Sequence, residues 1–154
     1  MKIIAALISK NSLTISPFLE YLQTYTPLAE ESSAQTENRV KQITHIKDSI
    51  KYLWEHNGAM NLPPLIEPYK NRKVSIIKIR LSQKLLRIAF TTIKGEIILL
   101  EAVEKPKRYE NATKNKVDRK IQQFLDDAEE LLELYLKEHN GIDITDRIIP
   151  KIPE

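Results

Sequence analysis

"VSIIKIRLSQKLLRIAFTTIKGEIILLEAVE", residues 74–104, decides the fold of this chain. It divides into three runs rich in β-branched and other apolar residues, "VSIIKIRL", "KLLRIAFTTI" and "EIILLEAVE", with Ser82-Gln83 and Lys94-Gly95 at the breaks. Short apolar runs separated by two-residue turn positions predict a meander of three antiparallel strands. Lys94-Gly95 is the stronger of the two turn signals, because glycine enters the positive-φ conformations that tight hairpins need. The first two runs also carry Lys78, Arg80, Lys84 and Arg87, and no acid between Ser75 and Phe90. Side chains alternate along a strand, so Lys78 and Arg80 share one face while Ile77, Ile79 and Leu81 turn to the other. Lys84 and Arg87 are an odd number of residues apart, and share a face only if a bulge intervenes or one of them lies in the turn. The expectation is a sheet with one helix-covered face and one basic face left in water.

The charge of the whole chain repeats this concentration. Residues 71–120 hold 14 Lys+Arg against 5 Asp+Glu, a net +9, whereas residues 1–70 are balanced at 7 and 7 and residues 121–154 carry 3 against 9, a net −6. A basic patch of this kind is the footprint of a phosphate-bearing partner, or else a solvated face compensated by the acidic last third. Charge alone leaves both open.

Upstream of the meander, residues 2–8 read as a first strand rather than a leader, since the apolar run from Ile3 to Ile8 is short and no small-residue cleavage pattern follows. Ser16 and Pro17 open a helix as cap and first residue, with Phe18, Leu19, Tyr21 and Leu22 as its apolar surface. The polar stretch "TPLAEESSAQTEN" interrupts it. In "RVKQITHIKDSIKYLWEHNG", Val40, Ile43, Ile46, Ile50, Leu53 and Trp54 form one stripe that stops at Asn57-Gly58. These two segments make a helical hairpin. Three prolines in "AMNLPPLIEPYKNRK" make it a connector. A last helix is expected over about residues 116–139, apolar at Ile121, Phe124, Leu125, Ala128, Leu131, Leu132, Tyr135 and Leu136 and acidic on its other side. Residues 141–154 read as a tail, leaving one domain over 1–140 of α+β class: a small antiparallel sheet, an N-terminal helical hairpin packed on one face and a C-terminal helix.

Several chemistries are excluded by residue type. The chain has no cysteine, so thiolate metal sites and cysteine nucleophiles cannot occur, and the expected compartment is the cytoplasm. Its 3 glycines, Gly58, Gly95 and Gly141, stand far apart and form no phosphate-cradling loop. His45, His56 and His139 occur singly, without metal-ligand spacing. No uncharged stretch approaches the roughly 20 residues that span a bilayer. What remains is the set of sheet cations, to which "EKPKRYE" adds Lys105, Lys107, Arg108 and Tyr109 at the end of the third run. Lysine and arginine suit phosphate, and tyrosine can stack on a base or move a proton.

The order of these features resembles the RelE/HigB toxin superfamily, in particular its HigB-like, phage-derived branch. The matching features are the first strand, "SPFLEYL", the helical hairpin, a cation nine places before "RIAF", then "GEIILLEAVEKPKR" and a C-terminal helix. The resemblance runs over about residues 2–136. It implies a RelE-like fold and a type II toxin that cuts messenger RNA on the ribosome, with a cognate antitoxin as partner and no metal or other cofactor. The chemistry it implies is attack of a ribose 2′-hydroxyl on the adjacent phosphodiester, with cations stabilising the charge that develops. By motif position Lys78, Arg80 and Arg87 would act at the scissile phosphate, with Tyr109 as an aromatic or base. Lys84, Lys105, Lys107 and Arg108 would hold flanking phosphates. On this reading RNA supplies the missing counter-charge.

Two positions depart from the family pattern. Glu101 stands where a histidine is frequent, and Pro106 replaces one lysine of a usual pair. Both favour an alternative, a non-catalytic member of the fold that binds an antitoxin, RNA or another partner. A gyrase-poisoning relative is the third possibility.

Overall fold

The computed structural model describes residues 1–26, 29–106 and 114–150, with backbone alone at 10, 105–106 and 114–118. Strand β1 (Lys2–Ala6) is followed by a small hairpin, β2 (Ile8–Lys10) and β3 (Leu13–Ile15), then helices α1 (Pro17–Gln23) and α2 (Ser33–Glu55). Strands β4 (Ile66–Pro68), β5 (Ser75–Arg80), β6 (Lys84–Ile93) and β7 (Glu96–Pro106) lead to α3 (Lys114–Glu138), β8 (Gly141–Asp143) and the short α4 (Thr145–Ile148). No helix among the described residues is long and apolar enough to cross a membrane.

The expected meander forms: β5 pairs with β6 and β6 with β7, all antiparallel. Leu81 N–H donates to the Lys84 carbonyl across the Ser82-Gln83 turn. At the second turn Lys94 and Gly95 have φ of 49° and 79°, the left-handed pair that a twisted two-residue hairpin requires. The sheet is larger than the meander, with six strands in the order β4-β5-β6-β7-β1-β8. It is also mixed, because β1 runs parallel to β7.

Two helix boundaries follow from local chemistry. At α1, Ser16 accepts from the Leu19 N–H at 3.1 Å and Pro17 occupies the first turn. α2 begins at Ser33, inside the stretch that the sequence reading took as a polar interruption. Ser32 and Gln35 form a reciprocal capping box there, the Ser32 side chain accepting from Gln35 N–H and the Gln35 side chain from Ser32 N–H. α2 ends at Glu55, and Gly58 beyond it, with φ of +68° and its N–H donating to the Leu53 carbonyl, closes the turn that leaves the helix. A Cβ at Gly58 would come within 2.6 Å of Thr92 Oγ1, so glycine also lets the end of α2 close on β6.

The sheet separates two apolar layers. On one side Ile3, Ile77, Ile79, Leu86, Ile88, Phe90 and Leu99 pack with Phe18 of α1 and Ile46, Ile50 and Leu53 of α2. On the other, Ile4, Ile76, Ala89, Ile98 and Leu100 pack with Phe124, Leu125, Ala128, Leu131 and Leu132 of α3. Each fully buried Leu, Ile or Phe contributes about 1.5–3 kcal/mol. This corrects the expectation of a face left in water: the apolar residues that share the side of Lys78 and Arg80 are covered by α3. The stretch from Gly141, expected as a tail, is part of the fold. β8 pairs antiparallel with β1, and Ile144 and Ile148 are buried in the α1/α2 layer.

Candidate anion-binding site

Strand parity sorts the sheet cations. Ile76 lies in the α3 layer, so Lys78 and Arg80, at even spacing from it, face the same side. Ala89 is also in that layer, which puts Arg87 there; Leu86 and Ile88 lie in the other layer and take Lys84 with them. The register shift in β6–β7 falls between Ile88 and Phe90, beyond both cations, and cannot bring Lys84 and Arg87 to one face. The structure therefore gathers Lys78, Arg80 and Arg87 on the α3 side and separates Lys84 from them.

Within the gathered set, Lys78 and Arg87 are direct cross-strand partners, and Arg80 stands opposite Leu85 one step along the same face. Directly opposed residues have Cα atoms about 4.5–5.5 Å apart, and like charges there repel. Lys78 has a counter-charge: its Nζ is 2.5 Å from Glu67 Oε2 on β4, an approach of charges without hydrogen-bond alignment at that oxygen. Both side chains are about two-fifths exposed, 35% and 41%, which limits the pair to about 0–1 kcal/mol. Arg80 is exposed. Arg87 is half-buried, and its Nε is buried with no hydrogen-bond partner among the described residues. A guanidinium N–H left in that state is costly unless an acceptor arrives.

Lys84 occupies a different environment. Its Nζ is 2.7 Å from Glu104 Oε1 and 4.7 Å from the centre of the Tyr25 ring. The same carboxylate oxygen accepts from Tyr21 Oη at 2.5 Å and Tyr25 Oη at 3.0 Å, and the two tyrosine hydroxyls also meet each other. Burial raises the Tyr21 and Tyr25 hydroxyls above their usual range. Burial also pushes Glu104 up, but the Lys84 ammonium and the tyrosine hydroxyls outweigh it and hold the carboxyl below the ordinary value. Burial opposes the charge on Lys84, but its interactions with Glu104 and Tyr25 together outweigh burial and hold the ammonium above its ordinary value. For Lys78 and Lys84, then, the counter-charge expected from RNA is supplied by Glu67 and Glu104 of neighbouring strands.

Lys105 is placed by backbone pairing opposite Leu85. Lys107, Arg108 and Tyr109 lie outside the described residues. Glu101, on the strand that carries Val103 opposite Arg87, has its carboxyl raised by burial first and then by Asp127 and Glu130 of α3. The three histidines do not converge: His45 is exposed on α2, His56 caps that helix with Nδ1 2.8 Å from the Tyr52 carbonyl, and His139 follows α3. Among the described residues no three His, Asp or Glu side chains are grouped to hold a metal ion.

Sequence reasoning missed Glu67, Glu104, Tyr21 and Tyr25. The signal lay in register rather than motif: placing Lys84 beside Pro106 puts Glu104 on the same face two residues away, within reach of a long side chain. Searched against known proteins, the chain matches no protein-family model and no curated protein.

Proposed function

We propose that the protein binds RNA phosphate on the α3 side of the sheet, through Arg87, Arg80 and Lys78, and that it is a toxin of the RelE/HigB kind acting as a metal-independent endoribonuclease. One observation carries the reading. Arg87 and Lys78 are held directly opposite each other on one face, and the Arg87 Nε is buried without an acceptor among the described residues. Glu67 answers only Lys78 of this opposed pair, so an anion that reaches Arg87 would relieve both the repulsion and the unpaired N–H. Phosphate, like carboxylate, presents oxygens that a fork of guanidinium N–H groups fits.

The chemistry proposed is internal transesterification. The ribose 2′ oxygen attacks phosphorus, its proton passes to a base, and the bond to the 5′ oxygen breaks as that oxygen is protonated. Arg87 and Arg80 would stabilise the charge developing on the non-bridging oxygens. Glu101 is the best candidate for the base among the described residues, because burial and two neighbouring carboxylates lift it towards the pH at which a base works. Lys107, Arg108 and Tyr109 would extend the phosphate contacts, and a cognate antitoxin encoded nearby would cover part of the basic surface.

Induced expression followed by transcript mapping on translating ribosomes tests this. The wild-type chain should arrest growth and cut transcripts, Arg87→Ala should do neither, and Glu101→Gln should keep RNA binding while losing cleavage. Intact transcripts at saturating protein overturn the nuclease reading. Early loss of replication rather than translation would indicate gyrase as the target. The Lys78–Glu67 pair favours a second reading, binding without cleavage, because it already neutralises one of the three cations. On that reading induction is harmless, yet RNA affinity still falls in Arg87→Ala.

A further inference from the structure

On the side of the sheet away from Arg87, α1, α2 and the far ends of β6 and β7 enclose a cleft of about 670 Å³. That volume is in the range of small-ligand sites, roughly 300–1,000 Å³. Its charges are already committed to one another. Glu104 accepts from Lys84, Tyr21 and Tyr25, and Arg39 donates through Nε to Glu31 and through Nη1 to the Thr24 carbonyl, both at 2.5 Å. These bonds fix the walls and leave the lining polar but balanced in charge.

The groups left for a ligand are two side-chain amides, one guanidinium nitrogen and one carboxylate oxygen. Asn38 and Gln42 lie one turn apart on α2, both line the cleft, and their side-chain amides engage no described residue. Arg39, between them, has no described partner at Nη2. Tyr21, half-buried, adds aromatic surface. Two amides one helical turn apart are neighbours, and each offers a donor beside an acceptor. That pattern matches a flat heterocycle whose edge alternates donors and acceptors, as Asn and Gln match the edge of adenine. Glu31 Oε2, buried in the same cleft without a partner among the described residues, adds an acceptor suited to the ring N–H or exocyclic amino group of such a heterocycle.

We propose that this cleft seats a nucleobase, on the amides of Asn38 and Gln42 and against Tyr21. The proposal does not depend on the RNA reading, whose cations face the other side of the sheet. Titration of the four free ribonucleosides into the full chain, followed by amide NMR shifts, tests it. At least one nucleoside should shift resonances of α1, α2 and the end of β7. The double variant Asn38→Ala, Gln42→Ala should bind that nucleoside at least tenfold more weakly, while Arg87→Ala binds it as the wild type does. The spectrum of each variant reports its folding directly, and alanine is the best helix former for two α2 positions of which Asn38 is exposed and Gln42 partly so. Absence of shifts with all four nucleosides overturns the proposal. Equal affinity in the double variant does so too, as does a monosaccharide that reproduces the same shifts.

Discussion

Lys84 and Arg87 stand three residues apart on one strand, and they have opposite surroundings. Lys84 meets a ring and a carboxylate that two tyrosine hydroxyls also bond, so its charge is used inside the molecule. Arg87 meets a second cation across the strand and keeps a buried N–H without an acceptor among the described residues. Two cations in one basic run therefore do different work, and strand parity together with the acids on neighbouring strands decides which does which. A charge count by segment adds them as equals.

The largest test of this contrast is Arg87→Ala. It should lower RNA affinity by about 1.5–3 kcal/mol, roughly ten- to a hundredfold, as loss of a charge-assisted contact does. Filter binding at fixed salt measures it. Unfolding of the same variant should show stability held or raised, because Lys78 is relieved of its neighbour; a large loss of stability would make Arg87 structural. Lys84→Met should do the reverse. Stability should fall by about 1 kcal/mol, since Glu104 and the tyrosine hydroxyls lose the ammonium at a partly exposed site, with RNA affinity nearly unchanged.

A smaller effect follows from pH. The folded-state carboxyl of Glu104 lies below its unfolded value near 4.5, so its contribution is present above that pH and is lost as pH falls through the folded value. Urea unfolding from neutral to acid pH should show this limb, and Glu104→Gln should remove it. Glu101 has the opposite sign. Its folded value is raised, so the charged form is disfavoured, and its penalty appears as pH rises above about 4.5. Glu101→Gln should therefore stabilise the protein at neutral pH by about 0.5 kcal/mol or less, with no gain in acid. A change of the same order is expected from the pair Lys78→Gln, Arg80→Gln: Arg80 is exposed and Lys78 partly so, and stability should move by within about 0.5 kcal/mol apiece while the salt dependence of RNA binding weakens.

The meander and the two N-terminal helices were legible because apolar period and turn residues are local signals. The start of α2 was legible in principle, through Ser32 and Gln35, but capping residues are polar and look like loop. Neither the parallel pairing of β1 with β7 nor the use of Ile144 and Ile148 in the core could be read along the chain, because both depend on partners far away in sequence. The cation set was half legible: alternation gave Lys78 and Arg80 a common face. The coverage of that face by α3 depends on which side the last helix crosses, and no residue pattern in α3 specifies this.

The position of β1 also sets an order of events. Lys2 pairs with Glu96 on one side, and Ile4 pairs with Asp143 on the other. A ribosome makes this strand before either partner, and its apolar residues Ile3, Ile4 and Ala5 wait for neighbours that lie more than about ninety residues further along the chain. Contacts so distant along the chain slow folding, because the loop between them must be closed before they form. The β1–β8 side of the sheet is therefore expected to be completed last, so that a nascent chain carries the basic hairpin of β5 and β6 before it has the finished fold that holds those cations in place.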